Sequence, residues 1–210
     1  MEAIMDLLSS DAGKQIIKGI SQDTNQDENL TGEVLSMAMP MLMGAVKKNV
    51  SSPEGAVNIL SALTSKHDGG IMDNLGTFFG GGVDDADKNE GEGLLGTLLG
   101  SSQDNVVNMI AGKKNIDVNT VLNILKVAAP IIMGYLGKQN SQKGDGSAKG
   151  LEAVLDNFTG DGKQQSMIES LLDGDNDGSV LDDVAGMLLN NSGKSGGGLG
   201  GLLGGFLGKK

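Results

Sequence analysis

Two similar apolar segments lie 90 positions apart in this chain, and each carries a proline near its middle. They occupy residues 34–44 and 124–134. Six matched positions in and just after them are identical, namely Leu35/Leu125, Ala38/Ala128, Pro40/Pro130, Met43/Met133, Gly44/Gly134 and Lys48/Lys138. Because each segment is apolar nearly all round, it is predicted to form a buried central helix. The proline removes one backbone donor, so a kink or a split is expected there.

Helical periodicity also surrounds each central segment. Apolar residues at helical spacing predict an amphipathic helix before each one, within residues 4–20 and 105–111. A shorter helix is predicted after each one, over 54–63 behind Pro53 and over 151–158. No segment shows a convincing strand pattern. The sequence therefore predicts an all-α fold in which two tandem imperfect helical repeats pack as a bundle.

These patterns divide the chain into four parts. The predicted parts are a first helical repeat over 1–68, a glycine-rich acidic bridge over 69–93, a second helical repeat with an Asp-rich loop over 94–190, and a glycine- and leucine-rich tail over 191–210. With 210 residues, the chain is long enough for one large domain or two small ones.

The charge balance disfavours two classes of partner. The formal net charge is −11, and all 16 basic residues are lysines, so no planar guanidinium is available to grip phosphate. Nucleic acid and anionic membrane are therefore not expected as main partners.

The expected location follows from other features of the sequence. There is no cysteine, which removes disulfides and thiolate chemistry. Residues 1–6 lack the basic and apolar regions of a signal peptide, and the longest apolar stretch, 34–46, is too short to cross a bilayer. We therefore expect a cytoplasmic protein without a transmembrane segment.

An Asp-rich loop near the C-terminus has the clearest chemistry in the sequence. Asp173, Asp175 and Asp177 alternate and are followed by Gly178, as at the start of an EF-hand calcium loop. Position 12 of such a loop, normally a bidentate glutamate, is Val184, so the loop is shortened and calcium binding should be weak. The predicted metal ligands are Asp173, Asp175, Asp177, Ser179, Asp182 and Asp183.

A turn is the alternative interpretation of the same loop. Asp-Gly steps form turns, and Ser179 with Asp182 three residues later matches a capping box at a helix start. This alternative does not explain why three acids cluster at residues 173–177, where they repel one another unless a cation lies between them.

Two other polar segments are assigned no catalytic or metal-binding role. Residues 23–29 imitate the spacing of a calcium loop, but Glu28 stands where glycine should turn the chain, so they are interpreted as an acidic interhelix loop. His67 is the only histidine and is expected in an exposed loop, without a partner for nucleophilic catalysis. We therefore expect a protein that is not an enzyme.

The tail combines an apolar stripe with many glycines. Its large apolar residues follow helical spacing, namely Leu199, Leu202, Leu203, Phe206 and Leu207. Each glycine costs about 0.8–1 kcal/mol in a helix relative to alanine, so a helix is expected only against an apolar surface. The tail is either an appendage that covers its own core or a docking segment for another copy, a partner groove or a membrane interface.

The segment before the second central helix carries a family resemblance. Residues 106–121, Val-Val-Asn-Met-Ile-Ala-Gly-Lys-Lys-Asn-Ile-Asp-Val-Asn-Thr-Val, lead to Leu125 and Pro130, and this run resembles the YidB-like bacterial domain of unknown function. The resemblance covers about residues 2–190 and implies a small all-helical bundle, with an Asp-rich calcium-type loop in longer members. It implies no activity. A helix-turn-helix is the alternative for the same run, but its second helix lacks base-reading side chains, so a packing corner capped by Asp117 is preferred.

Together these features predict a non-catalytic bacterial protein that binds calcium weakly through the Asp-rich loop and acts by protein contact. The alternative is a self-associating or interface-binding scaffold in which the Asp-rich loop is only a turn.

Overall fold

The computed structural model describes residues 2–159, with side chains from residue 4, and these residues form helices joined by short turns. The helices are α1 Glu2–Ser9, α2 Asp11–Thr24, α3 Glu28–Val50, α4 Pro53–Ser65, α5 Gly70–Asp73, α6 Leu75–Phe79, α7 Asp85–Leu99, α8 Gln103–Lys114, α9 Val118–Lys143 and α10 Ala148–Thr159, with a short 3₁₀ turn at Gly100–Ser102. No strand occurs over this range, so the all-α prediction is confirmed.

The two predicted central segments lie inside the two longest helices, α3 and α9, which pack against each other. Leu35 and Leu125 are 2% and 0% exposed, as the apolar pattern predicts. Neither proline splits its helix, since α3 continues through Pro40 and α9 through Pro130.

The same type of turn precedes both central helices. Asn25 and Asn115 both have φ of 53°, the left-handed conformation that ends a helix. Asp27 and Asp117 then cap α3 and α9, and each carboxylate accepts a 2.8 Å hydrogen bond from the backbone N–H of the residue two positions later. Both matched pairs are separated by 90 positions, which agrees with the predicted tandem repeat; the repeat itself stays a prediction.

The smaller helices cross from one predicted repeat to the other. Helices α2 and α4 pack against α9, and α8 and α10 pack against α3. Their apolar side chains join one continuous core, and the described residues belong to the compact unit Met1–Gly174. Each central helix is therefore covered partly by helices from the other half of the sequence.

Residues 69–93, predicted as a bridge, contain α5, α6 and the first part of α7. Helix α7 lies along α9, and Gly91 lies directly against the backbone of α9. A Cβ atom at Gly91 would collide with the backbone carbonyl oxygen of Lys126, so only glycine fits this contact.

Within the described residues, α9 is the one helix long and apolar enough to cross a membrane, with a mean hydropathy of 1.5 over its best 18 residues. Of those residues, 72% are buried inside the fold. Helix α9 therefore has the properties of a core helix.

Candidate functional site

The predicted calcium ligands lie outside the described residues. They are Asp173, Asp175, Asp177, Ser179, Asp182 and Asp183, and the tail over 191–210 also lies beyond Thr159. Within residues 2–159, no group of three or more His, Cys, Asp or Glu side chains is arranged to hold a metal ion.

The second acidic segment, residues 23–29, has structural roles in the described fold. The side chain of Asp23 is 7% exposed; its Oδ1 accepts a 2.8 Å hydrogen bond from the backbone N–H of Val83. The Lys88 ammonium lies 3.0 Å from Oδ2 of Asp23, so that oxygen is paired by charge, although it accepts no well-directed hydrogen bond. Asp27 caps α3. The segment therefore joins the end of α2 to the start of α7 and caps α3. Only its middle part, between α2 and α3, forms the expected interhelix loop.

His67 is buried, and the expectation of an exposed loop position is wrong. It follows α4 directly and is 5% exposed, because its backbone packs against Gly137 of α9. The signal available in the sequence is that His67 continues the four-residue spacing of Ile59 and Leu63, although it lies two residues beyond the end of α4.

The His67 imidazole faces α7. Its Nε2 lies 3.8 Å from Oε1 of Glu90, and the Lys66 ammonium lies 3.2 Å from the same oxygen. Burial lowers the pKa of His67 below its usual value of 6.5; Glu90 opposes that shift and Lys66 adds to it. At neutral pH the imidazole is therefore uncharged, and 3.8 Å is too long for a hydrogen bond to Glu90.

Ion pairs connect α7 to α2, to the residue after α4 and to α9. Besides the Lys88–Asp23 and Lys66–Glu90 pairs, Lys126 on α9 lies 3.0 Å from Glu92. Burial, with Asp84 and Glu90 nearby, raises the pKa of Asp87 in the same helix. The acidic residues of α7 therefore act mainly in holding the helix in place.

An open groove runs between α1, α2 and α3, with a volume of 440 Å³; we call it the α1–α2–α3 groove. Met5 on α1 lines this groove and is 56% exposed. Its lining residues are Met5, Leu8, Ser9, Lys14, Ile17, Glu28, Asn29, Gly32, Glu33 and Ser36. An apolar floor with charged residues at the rim is typical of a surface that binds an amphipathic helix.

A second groove lies between α1, α9 and α10, with a volume of 540 Å³. Tyr135 of α9 lines it and makes an edge-to-face contact with Phe158 at a centroid distance of 5.8 Å. Burial raises the pKa of Tyr135, so its hydroxyl is neutral at physiological pH. Behind Tyr135 and Leu7 lies an apolar cavity of only 20 Å³, about the space of one water molecule.

The turn between α8 and α9 is the packing corner that the sequence predicts. Asp117 caps α9, Val118 is half-buried and Val121 is buried at the start of that helix. Val118 and Val121 therefore pack the start of α9 against the fold, which agrees with the predicted packing corner.

The described helices coincide with a known sequence family. A family model described as a bacterial protein of unknown function, DUF937, matches residues 6–139. The match covers more than half of the chain. The chain belongs to this family. The matched DUF937 region extends from α1 into α9, so it includes both capped central helices. This membership confirms the resemblance to a bacterial domain of unknown function. No curated protein and no solved structure matches the chain.

Proposed function

We propose that this DUF937 protein acts without catalysis, through contact with other protein chains, and that its Asp-rich loop binds calcium weakly. The observation that carries the contact is the α1–α2–α3 groove, where Met5 is exposed above an apolar floor. Exposed apolar surface with a polar rim is typical of protein interaction sites.

The calcium part of the proposal rests on the sequence. Asp173, Asp175 and Asp177 supply carboxylates at alternate positions before Gly178, and hard Ca²⁺ prefers such oxygen ligands. Within the described residues a similar acidic run at Asp84, Asp85 and Asp87 forms the capped start of α7, so the calcium part rests on the alternating spacing of the carboxylates and on Gly178 rather than on the number of acids.

Calcium titration of metal-free protein tests this part. One saturable site is expected by calorimetry, and Ca²⁺ should raise the melting temperature because it binds the native state. The double substitution Asp173→Ala and Asp175→Ala should remove both effects. The matched control replaces the exposed acids Asp85 and Asp104 by alanine, which removes the same charge outside the loop.

An absence of heat and of stabilisation at millimolar Ca²⁺ would contradict the calcium site. It would favour the second candidate, a self-associating scaffold in which the loop is a turn. That candidate is supported by Ser179 and Asp182, whose spacing matches a capping box. A pull-down from the host with calcium and with chelator separates the two, because only the first predicts partners that depend on calcium.

A further inference from the structure

The α1–α2–α3 groove has two electrostatically different ends. Ile17 of α2 lies beside Gly32 of α3, with its methyl carbon 3.5 Å from the position of a Cβ on Gly32. Because α2 and α3 are joined by the short turn at Asn25, they run in opposite directions past this contact. Lys14 therefore lies toward one end of the groove, and Glu28 lies at the other.

The acidic end carries charge that the fold leaves available. No ion pair of Glu28 occurs within the part of the chain that the structure describes. Glu33, five residues further along α3 and therefore nearer the Lys14 end, is already paired with Lys114 at 3.0 Å. A ligand for this groove should therefore be apolar along its length and basic at one end.

The tail of this chain has that chemistry. Its apolar stripe over 199–207 is followed directly by Lys209 and Lys210. A helix over 199–207 would extend about 12 Å at 1.5 Å per residue, and α3 extends about the same distance between Glu28 and Ser36. The stripe and the groove therefore match in length as well as in charge.

We infer that the α1–α2–α3 groove binds the Leu199–Leu207 stripe of a second copy of this chain, with Lys209 and Lys210 next to Glu28. This inference rests on the proposed function and names the partner of its contact surface. Because each copy carries one groove and one stripe, two copies can exchange stripes in a closed dimer or link head to tail.

Filling the groove tests the assignment without disturbing the core. Gly32→Met adds a side chain to the groove floor, and its Cβ meets Ile17 at an ordinary contact distance. Gly112→Met is the matched control, because Gly112 is an exposed helical glycine with nothing within 4 Å of an added Cβ. Both changes replace a glycine within a helix by a better helix former, so both variants should fold.

Sedimentation velocity of the full chain over a concentration series gives the readout. Wild type and Gly112→Met should associate as concentration rises, and Gly32→Met should remain monomeric. Replacing Lys209 and Lys210 by glutamate should weaken association about tenfold, through loss of the attraction to Glu28 and added repulsion. When this glutamate variant is mixed with a chain that carries Glu28→Lys, most of the lost association should return. Association of Gly32→Met equal to that of wild type would overturn the assignment, as would a wild type that stays monomeric.

Mixing two defective chains tests whether the contact joins separate copies. Gly32→Met keeps its stripe, and the double variant Leu203→Asp with Phe206→Asp keeps its groove. Each should be monomeric alone, and a 1:1 mixture should form a heterodimer. A mixture that stays monomeric would overturn a contact between copies.

The outcome also separates this inference from the proposed function. If truncation after Asn191 abolishes association while Gly32→Met does not, the tail acts by contact but this groove is not its site. If calcium binds and a partner is captured while wild type remains monomeric, the proposed function stands and the second copy is the wrong occupant.

Discussion

His67 shows how one side chain can connect elements that the sequence separates. It lies two residues beyond the end of α4, its backbone packs against Gly137 of α9, and its imidazole faces Glu90 of α7. A neutral imidazole suits that position because burial disfavours its charged form.

The lowered pKa of His67 predicts acid sensitivity. Its pKa is below the usual value of 6.5 in the folded state, so below about pH 6.5 the unfolded state binds more protons. The stabilisation that His67 provides is therefore complete above about pH 6.5, and it is lost as the pH falls toward the pKa of His67 in the folded state. The loss amounts to about 1.4 kcal/mol for each unit by which folding lowers the pKa.

Urea unfolding of wild type and His67→Gln at pH 7.5, 6.5 and 5.5 measures this effect. Glutamine does not titrate, so the free energy of unfolding of the variant should fall less over this range. Charged groups distant from His67 are common to both proteins, so the difference between the two profiles isolates the site around His67. Parallel pH profiles would show that His67 is not held neutral by the fold.

At the scale of single elements, α7 depends on close contact with α9. It begins at an Asp84 cap, whose Oδ1 accepts a 2.8 Å hydrogen bond from the backbone N–H of Asp87. It then approaches α9 at Gly91. Its other glycines are not required in this way; Gly93, for example, has nothing within 4 Å of an added Cβ.

Two alanine substitutions in α7 should therefore have opposite effects. Gly91→Ala should lower the free energy of unfolding by about 1–3 kcal/mol, because the added methyl meets the backbone of Lys126, which cannot rotate away. Gly93→Ala should raise it by about 0.5–1 kcal/mol, through helix propensity alone. Chemical denaturation of both variants measures the difference. Equal effects would mean that α7 does not lie on α9 at Gly91.

For the whole molecule, the crossing of helices between halves implies a single cooperative unit. Since α2 and α4 pack on α9 while α8 and α10 pack on α3, neither half buries its central helix alone. Both central helices contribute to the same core.

Core truncations in the two halves should consequently shift the same transition. Leu35→Ala in α3 and Leu125→Ala in α9 should each destabilise by about 2–5 kcal/mol, as expected for buried leucines. Thermal unfolding followed by helical circular dichroism should show one main step in each variant. Two steps, of which each substitution shifts only one, would mean that the halves are independent domains.

Local patterns determined much of this fold. Apolar residues at a period of 3.6, and the Asp117 cap, were sufficient to predict the central helices, the helices directly before and after them and the all-α class, because these signals depend on residues only a few positions apart; α7 was not predicted as a helix. The candidate calcium loop was also a local pattern, and its ligands from Asp173 to Asp183 lie outside the described residues, so that part stays a prediction.

Tertiary structure alone decided the features that depend on distant partners. The burial of His67 requires α7 and α9, the place of Asp23 requires Val83 and Lys88, and the need for glycine at position 91 arises from the backbone of another helix. The α1–α2–α3 groove likewise exists only because three helices meet around Gly32. Sequence periodicity indicates which face of a helix is apolar, but the element that covers that face is set by packing across the whole chain.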